Sequence, residues 1–371
     1  MQVQTLPLIA GTPGTEHRLR VLRFGTPGSG PKALIQAALH ADEVPAVLVA
    51  HRLRERLLAL EAEQALPGEV LLVPYANPLG LAQRLLGQHQ GRFDLRDGVN
   101  FNRGYPELAA LVADGLRGRL GPDAVANTAL IRAALRSAGD GLVATHPAQD
   151  LKHRLLQLAL DCDVVLDLHC DFEASVHLYA LTPQADMAHE LGALLGARAV
   201  LLATESGDSP FDESCTRPWL ALQQQFSDAA VPLACFCATV ELRGEADTDH
   251  ALAAQDADAI IEFLRRRGIV GGTPAALPAA LCEPTPLAGS EPITAPHAGV
   301  VVFHRGPGER IEAGDVVADI VDADSGQITP LRALSSGVLY ARVARRWAAP
   351  GDRLAKIAGT SLARTGKLLG P

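Results

Sequence analysis

Two histidines and two glutamates stand where this sequence could do chemistry. His40 and Glu43 lie three residues apart, where the apolar run LIQAAL gives way to helical spacing. His169 closes the run VVLDLH, and Glu241 closes CATVE. Two imidazoles and one carboxylate form a donor set that suits zinc in a catalytic site, with a fourth position left to water. Zinc so held lowers the pKa of water to about 7 and draws electron density from a scissile carbonyl. Hydrolysis also needs a base that is not a ligand, to take the water's proton and return it to the leaving amine. Glu241 is placed for that. Negative charge growing on a tetrahedral oxygen calls for a cationic donor, and arginine stays charged and offers several N–H groups.

Each residue alone is a weak signal. H-x-x-E also fits a polar helix start, and a single strand histidine also fits a hydrogen-bonded core position. Their joint placement at strand exits gives the pattern its weight. Asp167 adds to it. It lies two residues before His169, so in a strand it faces the same side. A carboxylate inside an apolar strand is costly without a partner. Orienting a metal-bound imidazole would supply one, and so would a salt bridge to a buried arginine.

The elements that must position these groups follow from the hydrophobic pattern. KALIQAAL, GEVLLVPYANP, CDVVLDLHCD, VLLATES and ACFCATVELRG read as strands. Residues 43–65, LKHRLLQLAL, ADMAHELGALLGARAV and residues 248–267 carry helical spacing. Such alternation predicts an α/β domain with a mostly parallel sheet over residues 1–275. Ligands of such sheets bind beyond the carboxyl ends of the strands, where His40, Asn77, His169 and Glu241 fall. Residues 276–293, rich in proline and alanine, read as a linker.

After the linker, residues 294–371 hold short strands in two similar halves, AGVVVFHRGPGERIEAGDVVADI and SGVLYARVARRWAAPGDRLAKI. They predict a small all-β unit resembling the barrel-sandwich hybrid of biotinyl and lipoyl domains. Those carriers need a lysine at a central hairpin, and the comparable turn here, DADSGQ, has none. A structural or lid role is expected instead.

Composition narrows the classes. The chain has 371 residues and a formal charge of −9, which argues against a nucleic-acid partner. Its six cysteines include no C-x-x-C pair, which fits free thiols in a reducing compartment. No apolar run approaches the ~20 residues of a membrane span, and residues 1–14 show no secretory leader. A cytoplasmic, small-molecule enzyme is expected, with a homo-oligomer possible and no membrane partner.

HADEVPA, NPLG, NFNRGYP, DLHCD and VELRGE, in that order over about residues 30 to 265, resemble the succinylglutamate desuccinylase/aspartoacylase family. The resemblance implies a zinc-carboxypeptidase-like α/β/α sandwich with a mostly parallel mixed sheet. It implies a hydrolase of N-acyl amino acids with one Zn2+ per chain. His40, Glu43 and His169 match the family's zinc ligands, and Glu241 matches its general base. Asn102 and Arg103 match the pair that binds the substrate carboxylate. The arginine that polarises the carbonyl lies upstream of that pair, which selects Arg92 with Arg84 in reserve.

One position departs from the pattern. The family usually reads Asp-Leu-Asn-Arg where this chain has Asn100-Phe101-Asn102-Arg103. The aspartate orients a metal-bound histidine, and Asn100 brings no charge to that role. The appended β unit resembles a bacterial subgroup that includes N-acetyl-diaminobutyrate deacetylases.

Two features bear on substrate. Glu205, Asp208, Asp212 and Glu213 crowd the segment TESGDSPFDESCTRPW. If it borders the pocket it favours an ammonium group, whereas Arg217 or Arg243 would favour an acidic one. A second enzyme reading, a carboxypeptidase trimming short peptides, requires an open groove.

Overall fold

The computed structural model describes residues 1–361 and 363–370. A nine-stranded mixed sheet runs through residues 1–286. Its strands are β1 (Gln2–Pro7), β2 (Arg18–Phe24), β3 (Lys32–Ala37), β4 (Glu69–Val73), β5 (Val164–Asp171), β6 (His177–Leu181), β7 (Ala199–Ala203), β8 (Phe236–Gly244) and β9 (Pro284–Pro286). Their spatial order is β1-β2-β4-β3-β5-β8-β6-β7-β9. The four central strands, β4, β3, β5 and β8, are mutually parallel. Every residue of β4 and β5 is buried. Strands covered on both faces explain why these segments read as continuous apolar runs instead of alternating ones.

Helices cover both faces. The helices α1 (Val44–Ala62), α5 (Ala185–Leu195) and α7 (His250–Arg266) bury Val49, Leu53, Leu191, Ile260 and Phe263 against one side. On the other side α2 (Ala109–Leu116), α3 (Ala124–Asp140), α4 (Pro147–Ala159) and α6 (Phe211–Gln225) bury Leu116, Ile131, Leu155 and Trp219. This is the expected α/β/α sandwich.

The C-terminal unit consists of two small antiparallel sheets over residues 291–358 around Val301, Ile320, Leu339 and Ile357. It is not tethered as loosely as the proline-rich segment suggested. Pro284–Pro286, inside the expected linker, pairs in parallel with β7 as an edge strand of the large sheet. In return, Glu173–Ala174 of the first unit pairs with strand Gly337–Arg342 of the second. The two units therefore exchange strands at their junction, which fixes residues 341–356 over the carboxyl edge of the large sheet.

Candidate active site

The first ligand pair sits where β3 stops. Ala38 takes a left-handed φ of 61° and turns the chain out of the sheet. The Asn77 side chain donates to the Leu39 carbonyl at 2.9 Å. Glu43 caps α1 ahead of Pro45, whose fixed φ suits the first turn of a helix. His40 and Glu43 are thus held on one tight turn, and both are buried.

The remaining groups come from neighbouring strands. In the parallel β5–β8 pair, His169 lies opposite Glu241 and Asp167 opposite Thr239. His40 Nδ1 lies 2.8 Å from Glu43 Oε1, and His169 Nδ1 lies 2.7 Å from Glu43 Oε2. Ligand atoms of the three residues lie within 4.8 Å of one another.

The far nitrogens show what this cluster is built to hold. His40 Nε2–H donates to Asn100 Oδ1 at 2.9 Å. That oxygen also accepts from the Asn102 N–H at 2.7 Å, which settles the amide's orientation. His169 Nε2–H donates to Asp167 Oδ2 at 2.9 Å, while Gln36 donates to Asp167 Oδ1. With its proton on Nε2, the His40 ring turns its Nδ1 lone pair toward the Glu43 carboxylate, whereas at His169 burial works to lower the pKa but Asp167 and Glu43 outweigh it and hold it well above the ordinary imidazole value. Burial, then the charge of Arg92, lowers the His40 pKa to about 4, so its Nδ1 carries no proton at neutral pH. A lone pair facing a carboxylate is repulsive unless a cation lies between them. Burial works to raise the Glu43 carboxyl, but His169 and His40 outweigh it and hold it well below the ordinary carboxylate range. The donor set fits a divalent metal. Asp167 finds its partners in His169 and Gln36, not in a buried arginine.

Arg92 reaches this cluster because the backbone before it presses close. The Gly91 carbonyl accepts from the Ala41 N–H at 3.1 Å, and a Cβ on Gly91 would meet Asp42 N at 2.1 Å. Only glycine allows that approach. Arg92 Nη2 then donates to Glu43 Oε1 at 3.1 Å. Glu241 stands on the opposite wall with Oε2 buried and unpartnered. Burial, then the charge of Glu43, pushes its carboxyl up to about 8.

These groups open on a cavity of about 600 Å³, within the usual size of a small-ligand pocket. It is lined by His40, Arg92, Asn102, Arg103, His169 and Glu241, so the structure brings these predicted residues together. Two expected residues fall outside. Arg84 sits on an exposed two-residue strand of a surface hairpin with Leu85. Arg243, with a left-handed φ of 67°, turns away to pair with Asp256 of α7. Neither lines the pocket. Of the acidic segment only Asp212 lines it. Glu205 pairs with Arg217, Asp208 pairs with Lys367, and Glu213 accepts from the Ser206 N–H. That segment therefore gives little support to an ammonium-bearing substrate.

Three contributors escaped the sequence reading. Lys152, on α4, donates from Nζ to the Asn100 and Arg103 carbonyls at 3.1 and 2.7 Å, clamping the Asn100–Arg103 loop. Burial lowers its pKa to about 8. Asp171 shares a strand face with Asp167 and His169, so strand alternation could have found it. Lys356 reaches in from the β unit to pair with Asp171 beside Glu241. Nothing near Lys356 in the sequence signals this, because only the docking of the two units brings it there.

The catalytic-domain model of the succinylglutamate desuccinylase/aspartoacylase family matches residues 29–122. That stretch carries His40, Glu43, Arg92, Asn100, Asn102 and Arg103. A family protein of known structure from Shewanella amazonensis is 26% identical, with a TM-score of 0.85 over 96% of this chain and 98% of its own. The chain is thus similar to the succinylglutamate desuccinylase/aspartoacylase family, in sequence over residues 29–122 and in fold over nearly its whole length. A Shewanella frigidimarina structure with the same family assignment superimposes with a TM-score of 0.84 at 24% identity, covering 97% of both chains. The product-bound ectoine utilization protein EutE (DoeB) of Ruegeria pomeroyi shares the fold. Its TM-score is 0.67 at 17% identity, over 97% of this chain and 95% of that one. No curated protein matches the sequence. The desuccinylase/aspartoacylase hydrolases cleave amide bonds, and the cavity described here lies where that fold presents its carboxyl strand ends. Among the described residues no helix is long and apolar enough to cross a membrane.

Proposed function

We propose that this protein is a zinc-dependent amidohydrolase that removes the acyl group from a small N-acyl amino acid. The observation that carries this is the arrangement of His40, Glu43 and His169. Two buried imidazoles are fixed by Asn100 and Asp167 so that both Nδ1 atoms face one carboxylate. These three residues would hold one Zn2+ per chain. A divalent cation there acidifies water and draws electron density from the scissile carbonyl.

The chain's own residues do the rest. Arg92, on the pocket wall beside Glu43, meets the negative charge that grows on the carbonyl oxygen in the transition state. Glu241 receives the water's proton and delivers it to the leaving amine nitrogen. Its buried Oε2, which accepts no hydrogen bond, supports that role. Arg103 and Asn102 hold the substrate carboxylate at the far side of the cavity. Asn100 and Asp167 keep the two imidazoles in the right tautomer. The substrate is a small molecule, and Ala341–Val343 and Gly351–Lys356 of the β unit narrow the cavity that receives it.

Turnover of N-acetyl-diaminobutyrate, N-acetylaspartate, N-succinylglutamate and short peptides, with zinc and after chelation, tests this reading. Chelator-sensitive release of acetate or succinate is expected. Cleavage confined to peptides would replace the deacylase with a carboxypeptidase.

A further inference from the structure

After the last strand, Arg353–Ala358, residues 363–370 turn back over the catalytic pocket without forming helix or strand. Arg364 fastens its near end, with N–H donating to the Ala288 carbonyl at 3.0 Å and Nη2 to Leu287 at 3.3 Å. Leu368 N–H donates to the Ser206 carbonyl at 2.9 Å, and its side chain is buried with Tyr179, Leu201 and Leu287. Lys367 pairs with Asp208 at 2.8 Å in an exposed position. Leu369 and Gly370 then line the cavity that holds His40, His169 and Glu241. The Gly370 carbonyl accepts from Arg103 Nη2 at 2.9 Å.

That contact falls on the residue assigned above to the substrate carboxylate, and the inference rests on that assignment. Among the described residues Arg103 makes no ion pair. Its hydrogen bonds go to the Asn102 and Gly370 carbonyls. A planar guanidinium binds a carboxylate through two parallel charge-assisted bonds, so one neutral carbonyl is the weaker partner. The loop under the strap is shared. Asp208 and Ser209, at φ 62° and 47°, accept through their carbonyls from Gly104 and Tyr105 N–H, next to Arg103. Ser206 and Asp208 of the same loop hold Leu368 and Lys367. A release of the strap is therefore felt directly by the loop that carries Arg103.

We propose that residues 364–370 are a displaceable strap that competes with the substrate carboxylate for Arg103. The strap lowers apparent affinity by the fraction of molecules in which Gly370 occupies that site. Entry of a carboxylate frees Gly370 while Leu368 keeps the strap tethered.

The test compares the full chain with one truncated after Gly366. Calorimetry of the metal-free proteins with N-acetyl-L-glutamate as probe reads the site without turnover. The truncated chain is expected to bind at least threefold tighter, and Arg103→Ala in that background should abolish the gain. Leu368→Ser in the full chain loosens the tether and should shift affinity the same way, which decides the matter if the truncated chain fails to fold. Equal binding, weaker binding or no binding by the loosened chains overturns the strap. Hydrolysis by the zinc-loaded full chain is scored separately. A chain that gains affinity through Arg103 yet cleaves no N-acyl amino acid sinks the proposed function and leaves the strap standing.

Discussion

His169 and Glu241 are direct neighbours across the parallel β5–β8 pair, one residue opposite the other at the carboxyl edge of the sheet. The register puts the His169 imidazole and an unpartnered carboxylate oxygen on adjacent strands with no loop between them. A proton acceptor carried on a strand is more precisely placed than one on a mobile loop.

If Glu241 moves the proton and binds no metal, Glu241→Gln separates the two. The amide keeps the side chain's shape but cannot accept the water's proton. Zinc content should stay near that of the parent, while turnover falls about 10²–10⁴-fold. Elemental analysis beside a steady-state assay checks both, and loss of metal in the variant would place Glu241 among the ligands.

The same residue sets a pH dependence in the metal-free chain. Its carboxyl is raised from 4.5 to about 8 by burial and then by Glu43. Between those values the folded chain keeps a proton that the unfolded chain has released. The group's stabilisation is thus complete below about 4.5 and is lost as pH rises through about 8. Urea unfolding of the chelated protein should show Glu241→Gln gaining on the parent by about 1–3 kcal/mol between pH 5 and 9. Parallel pH curves for the two proteins would remove the buried carboxyl from the explanation.

How much of this was legible beforehand depended on whether a residue's role is local or borne by packing. His40 and Glu43 mark a strand exit, and Asp167 and His169 alternate on one strand face, so their convergence was readable from spacing. The central strands were readable because most of their residues are apolar and the runs are bounded by turns. The placement of Arg84 and Arg243 off the pocket was not readable, because spacing carries no information on side-chain direction. One sits on a surface hairpin and the other is turned toward Asp256 by a left-handed backbone. Lys152, Lys356 and Gly370 were invisible because each acts on residues at least 49 positions away, a relation set by tertiary docking alone. The proline-rich stretch read as a linker because Pro284 and Pro286 suit only an edge strand, and an edge strand is what they form.

Asn100 accepts from His40 Nε2 through a neutral amide oxygen, so its role can be tuned in both directions. Asn100→Ala removes the acceptor for His40 Nε2 and should weaken metal affinity about 10–100-fold. Asn100→Asp restores a charge there and should raise the His40 pKa and tighten the metal. Competition with a chromophoric chelator measures both. Unchanged affinity in the alanine variant would show that His40 needs no such support.

Arg92 touches Glu43 and faces the cavity, so Arg92→Met tests whether it serves the transition state. Metal content should hold, with kcat reduced about 10²–10³-fold and KM little changed. A change confined to KM would make Arg92 a binding group and leave the oxyanion without its donor.

The proposed metal centre carries everything else, and the most direct measurement is zinc stoichiometry with the coordination read by X-ray absorption on the loaded protein. The predicted result is one zinc per chain with nitrogen and oxygen donors, falling below a tenth of that in both His40→Ala and His169→Ala. Full zinc occupancy surviving the loss of either histidine, or sulfur in the coordination shell, would contradict a site built from His40, Glu43 and His169.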